Sequence, residues 1–113
     1  MVSFVIDYLE IPTTSNEASR AFFSGAFGWS FESYGPEYDE IRGAGVLGGI
    51  NGDPGDKGSV PLIGIRTDDI EAAAEAVIAA GGAITRPVYD YPGGKRFIFR
   101  EPGGAELLVY QPA

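Results

Sequence analysis

Apolar and polar positions alternate along most of the chain, and two segments show helical spacing instead. The run FVIDYLEI, residues 4–11, is apolar, β-branched and aromatic, and it predicts a first strand. In TSNEASRAFFSGAFG, residues 14–28, Ala18, Ala21 and Phe22 fall near the spacing of an α-helix. WSFESY and YDEIRGAGVLGGI then predict strands broken by turns that contain glycine and proline. The first half of the chain is therefore expected to have the order β-α-β-β-β.

The second half shows the same order. VPLIGIRT predicts a strand, and DDIEAAAEAVIAAGG predicts an alanine-rich helix that ends at two glycines. Three further strands are predicted by AITRPVYDY, GKRFIFREP and AELLVYQ. PGGK, residues 92–95, is interpreted as a hairpin turn. Phe97 and Phe99 alternate with Arg96 and Arg100, and the pattern leaves open which pair faces the core.

Both predicted helices begin at a capping box. Thr14 is followed three residues later by Glu17, and Asp68 is followed in the same way by Glu71. Gly25 and Gly28 are the candidate ends of the first helix.

The two halves also share a constant register. Five residues recur unchanged 54 positions later, and these are Ile11, Thr13, Glu17, Ala18 and Gly28, which match Ile65, Thr67, Glu71, Ala72 and Gly82. A constant offset through strand, cap and helix indicates an internal duplication. We therefore predict one domain, residues 1–113, with a first module at about 1–52, a mobile linker at about 52–59 and a second module at about 60–113.

Composition limits the location of the protein. With 113 residues, 44% of them hydrophobic, the chain is expected to form one compact domain. No apolar run approaches the roughly 18 residues that span a bilayer, and no secretory signal is visible. The chain has no cysteine, which excludes disulfides and fits a cytoplasmic protein.

Charge limits the partners. Sixteen acidic against eight basic residues give a formal net charge of −8, which repels phosphate backbones, so no nucleic-acid partner is expected. The same charge suits a cationic ligand, or simply a soluble surface. The chain also has no histidine, and it therefore lacks the commonest metal ligand and the usual proton carrier near neutral pH.

The two modules resemble the vicinal oxygen chelate superfamily, which includes glyoxalase I, bleomycin-resistance proteins and extradiol dioxygenases. The residues that carry the resemblance are AFFSGAFGW in the first module and PGGKRF and EPGGAELLVYQ in the second. The resemblance implies an α+β fold in which two β-α-β-β-β modules form an eight-stranded open cup with helices outside. It also implies a small-molecule ligand in the cup and a homodimer.

The metal-dependent relatives carry one ligand on the first strand and one on the last strand of each module. These positions correspond here to Tyr8, Gly49, Leu62 and Leu108, and Ile6 and Leu47 are the alternatives if the register slips. Leucine and glycine side chains offer no lone pair to a cation, and a neutral phenol is a poor ligand. The resemblance thus implies a member with no metal site and no cofactor.

Strand alternation predicts the residues that line the cup. The predicted ligand-binding residues are Tyr8, Glu10, Leu62, Arg66, Glu106, Leu108 and Tyr110. If Tyr8 points inward, then Phe4 and Ile6 do so too. Asp7 breaks this pattern because it falls among apolar neighbours, and a bulge or an edge position would explain it. Each charged candidate has a plainer interpretation as a solvated residue at a strand end.

Three functions are weighed. The first is metal-independent binding of an aromatic or cationic small molecule, which would serve to sequester it. The second is an isomerase or lyase acting on a small carbonyl compound, with Glu10 or Glu106 as general base and Arg66 stabilising an oxyanion. A metal-dependent glyoxalase-like activity is the weaker variant of this enzyme. The third is an interaction module whose cup is filled by its own side chains.

Overall fold

The computed structural model describes residues 3–113. Residues 1 and 2, which the sequence assigns to the first module, lie outside the described residues. The elements in chain order are β1 (Phe4–Pro12), α1 (Asn16–Phe27), β2 (Ser30–Ser33), β3 (Tyr38–Arg42), β4 (Leu47–Asn51), β5 (Leu62–Thr67), α2 (Ile70–Ala79), β6 (Ala83–Tyr91), β7 (Gly94–Arg100) and β8 (Glu106–Pro112).

The predicted fold class is confirmed. The chain is α+β, with eight strands in open sheet structure and two helices in two β-α-β-β-β series. It divides into two compact units: the first unit is Tyr8–Leu62, and the second is Ile63–Ala113 together with the N-terminal segment that ends at Asp7. Among residues 3–113, neither helix has the length and apolar character needed to cross a membrane.

In the first unit the strands lie in the order β2-β3-β4-β1, and β1 runs parallel to β4. Helix α1 covers the face of this sheet that carries Asp39, Ile41 and Ile50, all of which are buried. The Asn16 amide and the Arg20 guanidinium each donate a hydrogen bond of 2.9 Å to one oxygen of Asp39, Oδ2. This buried carboxylate therefore ties the first turns of α1 to β3.

The helix caps differ from the predicted capping boxes by one residue in both units. Ser15 and Asp69, not Thr14 and Asp68, are the N-caps, and their side chains accept from the backbone N–H groups three residues later. The hydroxyl oxygens of Thr13 and Thr67 accept hydrogen bonds from the cap residues' own N–H groups and set this register. These caps are 54 residues apart, which is the offset of the five repeated residues. Gly25 lies inside α1 rather than at its end.

In the second unit the order is β5-β8-β7-β6, and α2 packs on one face. Ile70 and Ala73 of α2 form a buried cluster with Phe97, Phe99 and Val109. The two phenylalanines of β7 therefore face the helix. Arg96, Ile98 and Arg100, which alternate with them, face the other way. We call the face opposite the helix in each unit its helix-free face.

Strand β6 departs from strict alternation. Its pairing with β7 shifts register between Ile84 and Arg86 and again between Arg86 and Tyr89. Arg86 pairs with Ile98 and Tyr89 pairs with Arg96. The two irregularities therefore place Arg86 and Tyr89 on one face, although their spacing of three would put them on opposite faces of a regular strand.

The prediction that Phe4 points inward with Tyr8 is wrong. Phe4 lines an apolar cavity of about 260 Å³ on the α2 side of the second unit, beside Ile65, Ala73 and Val109. Asp7 instead reaches Tyr110 on the helix-free face. Phe4 and Asp7 thus lie on opposite faces of the second unit, as alternation along a strand requires.

The predicted mobile linker is a hydrogen-bonded turn. The backbone N–H groups of Asp56 and Lys57 donate to the carbonyl of Asp53 at 3.0 and 2.8 Å. The Lys57 ammonium donates to the carbonyl of Thr13 at 2.9 Å, which ties the turn to the end of β1. The segment after β4 is thus fixed to the first unit rather than free.

Replacing Phe97 by alanine should lower the free energy of unfolding by about 3–5 kcal/mol, because this fully buried ring fills the cluster under α2. Urea denaturation followed by circular dichroism measures the change. The matched control is Phe22→Ala, whose ring is 61% exposed and whose loss should cost less than about 1 kcal/mol. Equal losses for the two variants would contradict the packing described for β7.

Candidate functional site

The helix-free face of the first unit carries a hydrogen-bonded cluster of four side chains, Tyr8, Glu10, Tyr38 and Asn51, which we call the Glu10 cluster. Tyr8 and Glu10 come from β1, and the other two are directly paired across β3 and β4. The Glu10 carboxylate is 2% exposed and accepts from the Tyr38 hydroxyl at 3.3 Å and from the Asn51 amide at 3.1 Å. Tyr8 and Tyr38 are joined through their hydroxyl groups. The cluster fixes a carboxylate and two phenols in one place.

Gly49 provides the space for this cluster. It pairs with Glu10 on β1 and with Glu40 on β3, so it lies in the middle of the same face. A Cβ at position 49 would overlap the Tyr38 hydroxyl and would lie 2.6 Å from the Tyr8 hydroxyl. The hydroxyl groups of Tyr8 and Tyr38 therefore take the space that a side chain at position 49 would need.

The turn after β4 supports the cluster from one side. The Asn51 amide donates to Asp56 at 2.9 Å as well as to Glu10, and its carbonyl oxygen accepts from the backbone N–H of Asp53 at 2.9 Å. Asn51 is 1% exposed, and these three contacts fix the orientation of its amide. Asn51 was not among the predicted site residues, and only the pairing of β4 with its neighbours reveals it.

In the second unit, Tyr110, Asp7 and Arg66 lie in contact on the helix-free face. The Tyr110 hydroxyl donates to the Asp7 carboxylate at 2.5 Å, and the Arg66 guanidinium lies 3.8 Å from the other oxygen of Asp7. Burial raises the pKa of Tyr110 above its usual value, the Asp7 carboxylate raises it further, and Arg66 opposes the shift. Tyr110 therefore stays protonated and acts as a hydrogen-bond donor.

Glu106 and Arg66 do not lie together. Glu106 accepts from the Thr85 hydroxyl at 3.1 Å and lies 3.5 Å from the Arg100 guanidinium. Arg66 pairs with Tyr110, four residues further along β8, so the backbone positions are about 13 Å apart along that strand. The base and oxyanion donor predicted for Glu106 and Arg66 are thus not adjacent.

The same face carries a further group of arginine and tyrosine side chains from β6 and β7. The Arg96 guanidinium donates through Nε to the Tyr89 hydroxyl at 2.6 Å and lies 5.5 Å from the Tyr91 ring centre. Arg86 stacks over the Tyr89 ring at 3.7 Å. The register shifts in β6 bring these residues together, and no sequence pattern could have revealed those shifts.

The residues at the superfamily's metal positions do not fit a metal ion. Leu62 and Leu108 are 3% and 1% exposed and offer only hydrocarbon, and Gly49 has no side chain. The Tyr8 phenol is engaged with Tyr38. Within residues 3–113, no group of three or more histidine, cysteine or acidic side chains is arranged to hold an ion elsewhere.

The fold, with two β-α-β-β-β series, is of the vicinal-oxygen-chelate type. Residues 5–109 match the family model described as Glyoxalase/Bleomycin resistance protein/Dioxygenase superfamily. The chain belongs to this superfamily, as the sequence predicted.

Individual relatives and solved structures are similar to this chain over most of its length. CFP32 of Mycobacterium bovis, which carries the name of a glyoxylase, is 25% identical over 93% of this chain and 44% of its own length. The chain thus spans less than half the length of this curated relative. A superfamily member from Vibrio splendidus 12B01 is similar over 100% of both chains, with 19% identity and a TM-score of 0.67. Hypothetical protein BH1468 from Bacillus halodurans C-125 has 16% identity and a TM-score of 0.75 over 98% of this chain and 96% of its own.

Replacing Gly49 by alanine should destabilise the protein by about 1–3 kcal/mol, because the new methyl group must displace the Tyr8 and Tyr38 hydroxyls from Glu10. Thermal unfolding measures the change. Gly25→Ala is the matched control: it lies inside α1 with nothing within 4 Å of the added carbon, so it should stabilise by about 0.5–1 kcal/mol. The same sign for both variants would show that the tyrosines do not depend on Gly49.

Tyr110 should ionise at higher pH than an ordinary phenol, whose pKa is about 10. Its raised folded pKa contributes stability that is complete below that value and is lost as the pH rises toward the folded pKa. Absorbance at 295 nm during alkaline titration should show a late phase that Tyr110→Phe removes. Asp7→Asn should move this phase to lower pH, because it removes the negative charge next to the hydroxyl. A late phase unchanged in both variants would refute the assignment.

Proposed function

We propose that this chain binds a small molecule without the superfamily's metal ion. The observation that carries the proposal is the set of residues at the metal positions, where two leucines and a glycine stand in place of ligands, while Glu10, Tyr38 and Asn51 form a fixed polar group in the first unit. Small-ligand sites combine apolar walls with a few oriented polar groups, and these residues have that character.

The proposed ligand-binding residues are those of the sequence prediction, Tyr8, Glu10, Leu62, Arg66, Glu106, Leu108 and Tyr110, extended by Tyr38 and Asn51. In the first unit, the phenols of Tyr8 and Tyr38 and the carboxylate of Glu10 suit an aromatic or cationic ligand group. A phenol ring attracts a cation through its face, and a carboxylate does so through its charge. A homodimer and a cytoplasmic location remain predictions.

The second candidate is an isomerase or lyase with Glu10 as general base. It is favoured by the burial of Glu10 beside a phenol that can hydrogen-bond to a substrate oxygen. The name of the Mycobacterium bovis relative points in the same direction. Arg66 and Glu106 lie apart on the second unit, which makes Glu10 the better of the two candidate bases.

One experiment separates these functions. A thermal-shift screen of aromatic amines, aromatic neutral compounds and small carbonyl compounds should find ligands that stabilise the protein equally before and after dialysis against EDTA. Glu10→Gln should weaken binding of a cationic hit about tenfold or more, because a charged hydrogen bond is worth about 1.5–3 kcal/mol. For an enzyme, the same variant should abolish turnover and leave affinity nearly unchanged.

The matched control is Glu75→Gln, an exposed glutamate on α2, which should alter neither affinity nor turnover. Elemental analysis of the purified protein completes the test. Stoichiometric divalent metal, with ligand binding lost when the metal is removed, would overturn the proposal.

A further inference from the structure

A row of alternating cationic and aromatic side chains crosses the helix-free face of the second unit. Arg66 on β5 pairs with Tyr110 on β8, Tyr110 pairs with Arg96 on β7, and Arg96 pairs with Tyr89 on β6. Paired residues of neighbouring strands share a face and lie about 5 Å apart. The row therefore spans all four strands of this unit.

The inner part of the row is held rigidly. Arg96 is 3% exposed, its Nε–H donates to the Tyr89 hydroxyl at 2.6 Å, and its guanidinium lies 5.4 Å from the centre of the same ring. An arginine fixed in this way has already lost its rotamer freedom, so a ligand that meets it bears little further entropic cost.

This face gathers much of the positive charge of an acidic chain. It carries Arg66, Arg86, Arg96 and Arg100, which are half of the eight basic residues in a chain of net charge −8. Arg66 lies 3.8 Å from the Asp7 carboxylate, and Arg100 lies 3.5 Å from the Glu106 carboxylate.

The accessible end of the row is Arg66. Its side chain is 50% exposed, and its ion pair with Asp7 is longer than a hydrogen bond. Arg66 also lines an open cavity of about 360 Å³, whose other lining residues include Val5, Gln111, Pro112 and the exposed Asp68. A guanidinium has five N–H donors in a planar fork that matches a carboxylate.

Asp7 shows how this end of the row receives a carboxylate. One oxygen of Asp7 accepts from the Tyr110 hydroxyl at 2.5 Å, and the other faces Arg66. A protonated phenol and a half-exposed guanidinium thus already act together on a carboxylate of the same chain. Because the guanidinium contact is loose, Arg66 can turn toward a second carboxylate at the cavity.

We propose that Arg66 binds the carboxylate of a small molecule whose apolar body rests in the cavity against Val5 and Pro112, with Asp7, which the Tyr110 hydroxyl holds, acting as a competing internal carboxylate. This site rests on the proposed small-molecule-binding function and specifies an anionic ligand class for the second unit. The apolar body follows from the hydrocarbon that Val5 and Pro112 contribute to the cavity.

Benzoate is a suitable probe, with benzamide as a neutral isostere, benzylammonium as a cation and inorganic phosphate as an anion without an apolar body. Isothermal titration calorimetry should detect binding of benzoate and at least tenfold weaker binding of the other three. Two-dimensional NMR of the labelled protein should place the shifted benzoate signals at residues 5, 66, 110 and 112.

Variants test the roles of the individual groups. Arg66→Gln should weaken benzoate binding about tenfold or more, because it removes a charged donor. Asp7→Asn should strengthen it severalfold, since a neutral amide holds Arg66 less strongly than the carboxylate does and no longer repels the ligand carboxylate. The matched control is Arg42→Gln in the first unit, which removes an arginine of similar exposure, 53%, and should leave benzoate binding unchanged.

The possible failures are distinguishable. No benzoate binding, an equal loss in Arg42→Gln, or no change in either Arg66→Gln or Asp7→Asn would overturn the carboxylate site. If cationic or neutral hits bind and lose affinity in Glu10→Gln while benzoate does not bind, the carboxylate site fails and the proposed function stands. If no compound of any charge binds, both fail.

Discussion

The first unit depends on the requirement that a buried carboxylate be hydrogen-bonded. Glu10 is 2% exposed, and taking its charge out of water is costly unless donors replace the lost hydration. Tyr38 and Asn51 supply donors from two other strands, and they reach Glu10 because Gly49 leaves the middle of the face open. The absence of a side chain at one position therefore determines which groups can gather around Glu10.

The sequence predicted every helix and strand of the fold, because each has a clear period and is bounded by glycine, proline or a capping residue. The helix starts were wrong by one residue in both units, since Thr13 and Thr67 hydrogen-bond locally and shift the caps. In the site, Tyr8 was a candidate through the family resemblance, and Glu10 followed from alternation along the same strand. Asn51 was missed because its proximity to Glu10 depends on strand pairing, which a single sequence does not reveal.

The two units share a backbone plan and differ in chemistry. At the repeat offset of 54, Tyr8 corresponds to Leu62 and Glu10 corresponds to Gly64, so neither polar group of β1 is repeated on β5. The second unit instead carries arginines paired with tyrosines, of which Arg96 is 3% exposed. The chain thus presents carboxylate and phenol groups in one unit, and guanidinium and phenol groups in the other. The net charge of −8 describes the whole chain and does not show this difference between the units.

A leucine in place of a metal ligand changes the kind of interaction that the scaffold can offer. A metal ion binds through a few strong, directional bonds, and its loss would leave a polar ligand with nothing to offset desolvation. Hydrogen bonds and charges can offset that cost only if they are fixed in advance, and phenols fix them well because a ring has few rotamers. Each unit pairs tyrosine with a charged group, through Tyr38 and Glu10 in the first and Tyr110 and Asp7 in the second. Tyrosine therefore serves in both units as the rigid partner that orients charge in the absence of a metal ligand set.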